Sequence, residues 1–257
     1  MAGSWKENLA NVSALLESRE YRHGVKAVSA SAIGAQFFCE MKVDQGFVHG
    51  EVETEEKAEG DRLHGELLAM EPASRESLLD DIEKRKLLVA SFPLAAEADG
   101  LVIIGVPDAV VFQDARPTHV IELKTTRGST SILYDGQRAQ TTVYGLLLDS
   151  VGFDCRNLEL VVVKLHRDAP LPEKQRVDFL DALTESLVKK KSIPWAGSGR
   201  EGQVAIHSFP YQRGEAIEVL KQTRGYWLDQ RKPSPTSNPN KCRACEFSAV
   251  CPSSLAR

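Results

Sequence analysis

The apolar, β-branched stretches of this chain cluster in its middle. Leu101 to Phe112 is one such run, Gln113 to Thr118 carries turn residues including Pro117, and His119 to Thr126 is β-rich again, a pattern that predicts a hairpin. Leu158 to His166 (LELVVVKLH) predicts another strand, apolar enough to be buried on both faces. Helical periodicity lies on either side. Trp5, Leu9, Val12, Leu15 and Leu16 mark an amphipathic helix within residues 1–25, and Ser29 or Ser31 can cap a short helix that holds Ile33, Phe37 and Phe38 on its apolar face and ends at Cys39. A helix of about Glu53 to Met70 puts Leu63, Leu67 and Met70 on one side and Gly60 and His64 on another, and a second helical stretch runs from Ser77 to Leu88.

After the hairpin, Gly128 to Gly136 reads as a polar loop. Gly136 to Asp149 reads as a helix stopped near Gly152, with Gln137, Gln140 and Tyr144 on one face and Val143, Leu146 and Leu147 on the other. Ala169 to Arg176 is a Pro-containing linker. A helix over Val177 to Lys190, a strand at Gln203 to Phe209 and a long helix over Arg213 to Lys232, with Tyr226 and Trp227 as core aromatics, complete the order before the irregular Pro233 to Asn240. No internal repeat and no second domain boundary interrupts it.

Composition changes this picture little. With 257 residues, 42% hydrophobic and 26% charged, the chain is that of a soluble globular protein. No apolar run reaches the roughly 20 residues of a membrane helix and the first residues lack a signal-peptide core, so no membrane association is expected. A cytoplasmic location follows, or a nuclear or organellar one in a eukaryote. The net charge of −4 does not advertise nucleic-acid binding, although it is unevenly spread. Glu51 to Asp61 is a dense acidic block, whereas Lys84-Arg85-Lys86, Lys189-Lys190-Lys191, Arg231-Lys232 and Lys241/Arg243 are basic clusters.

The candidate chemistry lies in the hairpin. Strand alternation sends Glu122 and Lys124 to one face and Ile121 and Leu123 to the other, so an acid and an ammonium stand side by side on an otherwise apolar strand. A structural ion pair at a sheet edge would explain that pair alone. A second acid, Asp108, stands at hairpin distance, and two carboxylates with a main-chain carbonyl make a hard oxygen site for Mg²⁺ or Mn²⁺. The neighbouring lysine can then position water and steady charge on a phosphorane. This is the chemistry of metal-dependent phosphodiester hydrolysis.

At Pro107-Asp108 and Glu122-Leu123-Lys124 the chain resembles the PD-(D/E)xK nuclease superfamily, and Gln140-x-x-x-Tyr144 makes it similar to the RecB-type branch. The resemblance implies an α/β fold with a restriction-endonuclease-like core, a mixed central sheet flanked by helices. It implies metal ligation by His64 (from Gly60-x-x-x-His64), Asp108, Glu122 and the Leu123 carbonyl, and catalytic roles for Asp108, Glu122, Lys124, Gln140 and Tyr144. The chain then reads as one nuclease domain over 1–257, with an N-terminal helical part (1–95), a catalytic core (96–168), an insertion and helices (169–232) and a C-terminal segment (233–257).

That segment carries Cys242-x2-Cys245-x5-Cys251. Thiols so close together in a reducing compartment suit a metal better than disulfides, and Cys39 and Cys155 are candidates for a fourth ligand. Cys155 has the surroundings of an ordinary buried thiol. Zinc and iron–sulfur are both compatible with the spacing. Cys39-Glu40 resembles the first ligand of the iron–sulfur RecB-type nucleases, which include the CRISPR-associated RecB-like exonuclease (the fourth Cas protein) and exonuclease V. This implies a structural [4Fe–4S] cluster held by Cys39, Cys242, Cys245 and Cys251 in a helical subdomain that joins the two ends of the chain. The function implied is a Mg²⁺- or Mn²⁺-dependent exonuclease on single-stranded DNA ends, 5′ entry favoured, in CRISPR spacer acquisition or repair, with integrase or repair proteins as partners. Two other readings stand beside it, a non-catalytic DNA-end-binding subunit and a zinc-bound interaction module.

Overall fold

A computed structural model describes residues 5–10, 19–68, 75–169, 178–191 and 203–256. Its centre is a five-stranded mixed sheet in the order β2-β5-β6-β7-β8, made of β2 (Leu87–Ala90), β5 (Ala109–Gln113), β6 (Arg116–Thr126), β7 (Glu159–His166) and β8 (Val204–Pro210). A second sheet of three strands has the order β1-β4-β3, from β1 (Val28–Ser29), β3 (Leu94–Ala98) and β4 (Leu101–Gly105). Strand β6 pairs antiparallel with β5 and parallel with β7, and parallel neighbours require a crossover. Helix α6 (Asp135–Val151) is that crossover.

The other helices are α1 (Trp5–Ala10), α2 (Ala30–Phe38), α3 (Glu40–His49), α4 (Glu55–Leu67), α5 (Arg75–Lys84), α7 (Phe179–Lys189), α8 (Arg213–Trp227) and α9 (Pro239–Arg243). The large sheet separates two cores. On one face Val110, Val120 and Val162 pack with Val143, Leu146 and Leu147 of α6. On the other Ile121, Leu123, Val161 and Val163 pack with Leu67 of α4 and Phe179 and Leu183 of α7. Burial on both sides is why β7 is a nearly continuous apolar run. Tyr226 and Trp227 are buried in the first core. No described helix is long and apolar enough to cross a membrane.

The hairpin expectation needs correction at one point. Residues 101–112 do not form one strand: β4 ends at Gly105 and belongs to the small sheet, while β5 starts at Ala109 and belongs to the large one. Pro107 has no N–H to give to a ladder, so the chain changes sheets there. The hairpin that forms is β5–β6, closed by Asp114 and Ala115 at positive φ, with a bulge between Val111 and Phe112. The helix expected to reach Leu88 stops at Lys84, and Leu87–Ala90 is an edge strand instead. A four-residue apolar run has no period that separates the two forms. Strand β3 and helix α3 are additions to the sequence reading. Val12, Leu15, Leu16, Met70 and most of the 169–176 linker lie outside the described residues.

Helices α2 and α6 cross at two glycines. A Cβ built on Gly34 would lie 2.7 Å from the Gly136 carbonyl oxygen, and one on Gly136 would lie 2.5 Å from the Gly34 carbonyl oxygen. Both obstacles are backbone. Gly136→Ala is therefore expected to destabilise the protein by about 1–3 kcal/mol through overpacking, outweighing the gain of alanine in a helix. Urea unfolding measures this, and an unchanged or raised midpoint would show that the helices can part freely.

Candidate functional site

Glu122 stands in the middle of β6 and is 3% exposed, on the face covered by α6. Its Oε1 accepts from Lys124 Nζ at 2.7 Å and from Gln140 Nε2 at 2.8 Å, and Gln140 also donates to the Tyr144 hydroxyl at 2.9 Å. Glu122 Oε2 is buried without a partner among the described residues. Asp108, in the link between the two sheets, accepts the Leu123 N–H through Oδ2 at 2.7 Å, while its Oδ1 lies 3.5 Å from His64 Nδ1. His64, Asp108, Glu122, Lys124, Gln140 and Tyr144 thus meet in one place. Leu123 enters through its main chain, since its side chain faces the opposite core. Gln137 instead accepts the Tyr134 N–H through Oε1 at 3.3 Å, at the start of α6.

Local packing sets this geometry. A Cβ on Gly105 would fall 2.6 Å from Cε1 of Tyr144, so the glycine of Gly105-Val106-Pro107-Asp108 makes room for the tyrosine ring. Burial is the largest influence on Glu122 and raises its carboxyl from the ordinary 4.5 to about 7 against the attraction of Lys124. Burial lowers His64, but its hydrogen bond to Asp108 and the charges of Asp108 and Glu122 prevail, leaving it raised. Burial, then the Glu122 charge, raises Tyr144, which stays a phenol.

Among the described residues no three His, Cys, Asp or Glu side chains are grouped to hold a single metal ion. The orphaned Glu122 Oε2 is nevertheless a buried carboxyl oxygen without a hydrogen-bond partner among the described residues, beside a second carboxylate, and that donor set fits a hard divalent cation.

The four expected cysteines line another pocket. Cys39, Cys242, Cys245 and Cys251 bound an open volume of about 350 Å³ together with Phe38, Met41 and Phe247, among others. Cys39 Sγ accepts the Thr236 N–H at 3.3 Å. Asn238 caps α9 by accepting from Asn240, which presents Cys242. Burial raises the Cys245 thiol. Cys155 is separate, buried in the first core and pushed up to about 12 by burial.

Several contributors escaped the sequence reading. Glu40, buried beside Cys39, takes both arms of Arg231 at 2.5 and 2.6 Å and the Ser234 N–H at 2.8 Å. Gln36 donates to Glu40 and accepts from the Trp227 indole. Lys164, fully buried on β7, was signalled only as a lysine inside the mostly apolar run LELVVVKLH. The basic clusters are partly paired: Lys84 with Asp80, Arg85 with Asp81, Lys189 with Glu185 and Arg231 with Glu40.

A mixed α/β core that brings two carboxylates and a lysine together where its strands adjoin is the framework of a nuclease. The model of one family, the PD-(D/E)XK nuclease superfamily, matches residues 26–252, and the chain belongs to that superfamily. A solved structure described as "Crystal structure of SSO0001" aligns over 99% of this chain and 100% of that one, at 15% identity and a TM-score of 0.44. A search of curated proteins gives no match.

The raised Glu122 carboxyl gives a pH test. The folded protein keeps a proton there that the unfolded chain releases near 4.5, so this stabilisation is complete below pH 4.5 and is lost as pH rises to about 7. Without divalent cations, Glu122→Gln is expected to lose that part of the pH dependence of urea unfolding. Mg²⁺ should stabilise the wild type more at pH 8 than at pH 5, because it competes with the proton. Identical pH profiles for the two proteins would contradict the assignment.

Proposed function

We propose that the protein is a Mg²⁺- or Mn²⁺-dependent deoxyribonuclease that removes nucleotides from single-stranded DNA ends. The observation that carries this reading is the buried Glu122, with Lys124 and Gln140 on one oxygen and, among the described residues, no partner on the other. Asp108, Glu122, the Leu123 carbonyl and His64 would hold the cation, which supplies Lewis acidity toward the phosphodiester. Lys124, held on Glu122 at the site, would orient the attacking water and stabilise the charge that develops on the phosphate. Gln140 keeps Glu122 and Tyr144 in register, and Tyr144 bounds the phosphate site. Asp108 orients the strand by accepting the Leu123 amide while it shares His64.

For the cysteines the reading is a structural [4Fe–4S] cluster. Its support is that Cys39, Cys242, Cys245 and Cys251 line one pocket, a four-thiol set of the kind that holds such a cluster. It would clamp the start of the chain to its end. The resemblance noted above extends to CRISPR spacer acquisition or DNA repair as the setting, in both of which DNA ends are the substrate, with 5′ entry favoured.

Purified protein is expected to degrade labelled linear single strands only with divalent metal. Asp108→Ala, Glu122→Ala and Lys124→Ala should each lower the rate roughly a hundredfold or more while the proteins still fold, as circular dichroism measures. Closed single-stranded circles should resist. Full activity in Glu122→Ala would refute the site, and equal rates on circle and line would refute end entry.

Protein prepared without oxygen is expected to be brown and to carry about four iron and four sulfide per chain. Cys39→Ser should lose colour and stability, and Cys155→Ser neither. Colourless protein with one zinc per chain would overturn the cluster.

A further inference from the structure

Between β6 and α6 the chain passes through residues 127–134, and side chains of β7 and β8 hold this loop by its carbonyls. Lys164 Nζ donates to the carbonyls of Ser129 at 3.1 Å and Ile132 at 2.5 Å. His207 Nε2 lies 2.8 Å from the Thr130 carbonyl oxygen, and His166 Nε2 lies 3.1 Å from that of Arg127. Lys164 is fully buried, and burial lowers its pKa. Among the described residues no carboxylate pairs with it, and an ammonium held by carbonyls alone is a costly group to bury for the sake of a loop.

Its ammonium also lies 4.3 Å from the centroid of the Tyr134 ring. Tyr134, the residue that leads into α6, is 50% exposed, so Lys164 fixes the ring from within while much of it stays open to solvent. Exposed aromatics held in this way bind at low entropic cost because the ring is already placed. Its position bears on the site. Lys164 is in register with Lys124 on the neighbouring parallel strand, so both project from the same sheet face about 4.8 Å apart along the sheet. Tyr134 therefore sits over the lysine next to Lys124. Val106, just ahead of Pro107-Asp108, is 53% exposed. The chain carries a net charge of −4, so its overall field does not draw phosphate in, and a contact to the base has more to contribute to holding DNA here.

We propose that Tyr134, mounted on Lys164, is a stacking platform for an unpaired nucleobase beside the scissile phosphate. The inference rests on the nuclease reading above and deepens it, because it names what selects single strands. A base inside a duplex already has both faces stacked, whereas a base at a single-stranded end can leave its neighbours and lie on the ring. Lys124 then acts on the phosphate next to that base. A ring that only shielded Lys164 would be indifferent to whether a base is present.

The test uses the full chain with Ca²⁺ and fluorescent single strands in which an abasic site is moved along the first five nucleotides from each end. One abasic position is expected to weaken binding to wild type and Tyr134→Phe about tenfold, as stacking on one aromatic ring implies. Tyr134→Leu, which keeps Lys164 covered, should bind the intact strand about tenfold more weakly and show no penalty there. 2-Aminopurine at that position should be quenched by the wild type and not by Tyr134→Leu. An abasic penalty and quenching that persist in Tyr134→Leu would overturn the platform while leaving the nuclease reading intact. Failure of wild type to bind or cleave any single strand would overturn both.

Discussion

A carboxylate buried as deeply as Glu122 must be matched by its surroundings, and much of the protein is arranged around that requirement. Desolvating a charge costs several kcal/mol unless partners replace the lost water. Lys124, two residues along the same strand, supplies the counter-charge, and Gln140 supplies a neutral donor from the helix above. For Gln140 to reach, α6 must lie close over β6, and it can do so because α2 meets it at Gly34 and Gly136. The same descent brings Tyr144 onto Gly105, where a larger residue would push the ring aside. The glycines are thus part of the electrostatics.

One oxygen is left out of this arrangement. Lys124 and Gln140 both serve Oε1, and the buried Oε2 has no hydrogen-bond partner among the described residues. Asp108 beside it is not idle, because it receives the Leu123 amide and shares His64. The group is therefore stable enough to fold and incomplete enough to take a cation, which is the balance a metal-using site needs.

A second buried carboxylate does a different task at the other end of α2. Burial raises Glu40, but Arg231, the Ser234 amide and Gln36 outweigh it, so its pKa is lowered and it stays charged. Every one of those partners but Gln36 comes from the C-terminal part of the chain, and Arg231 is 191 residues away in sequence. With the indole of Trp227 on Gln36, this network sets the C-terminal segment against the start of α3. Cys39, next to Glu40, is carried into the pocket that Cys242, Cys245 and Cys251 also line. Closing so long a loop is entropically demanding, and the part-buried Glu40–Arg231 pair is one way to hold it.

The sequence by itself determined which side chains have chemistry to offer. Glu122 and Lys124 stood out because strand alternation puts two charges on a buried face, and Gln140 and Tyr144 because Gln140-x-x-x-Tyr144 resembles the motif of the RecB-type nucleases. Cys155 could be told from the other thiols by its apolar surroundings. Local periodicity says nothing about which strand pairs with which, and so the continuous run through Gly105 and Ala109 concealed a change of sheet at Pro107. It also cannot show which cations are already taken, so the clasp of Glu40 by Arg231 and the burial of Lys164 under Tyr134 became visible only in three dimensions. Partners 191 residues apart in one case, and 30 in the other, leave no periodic trace; tertiary packing alone decides that they meet.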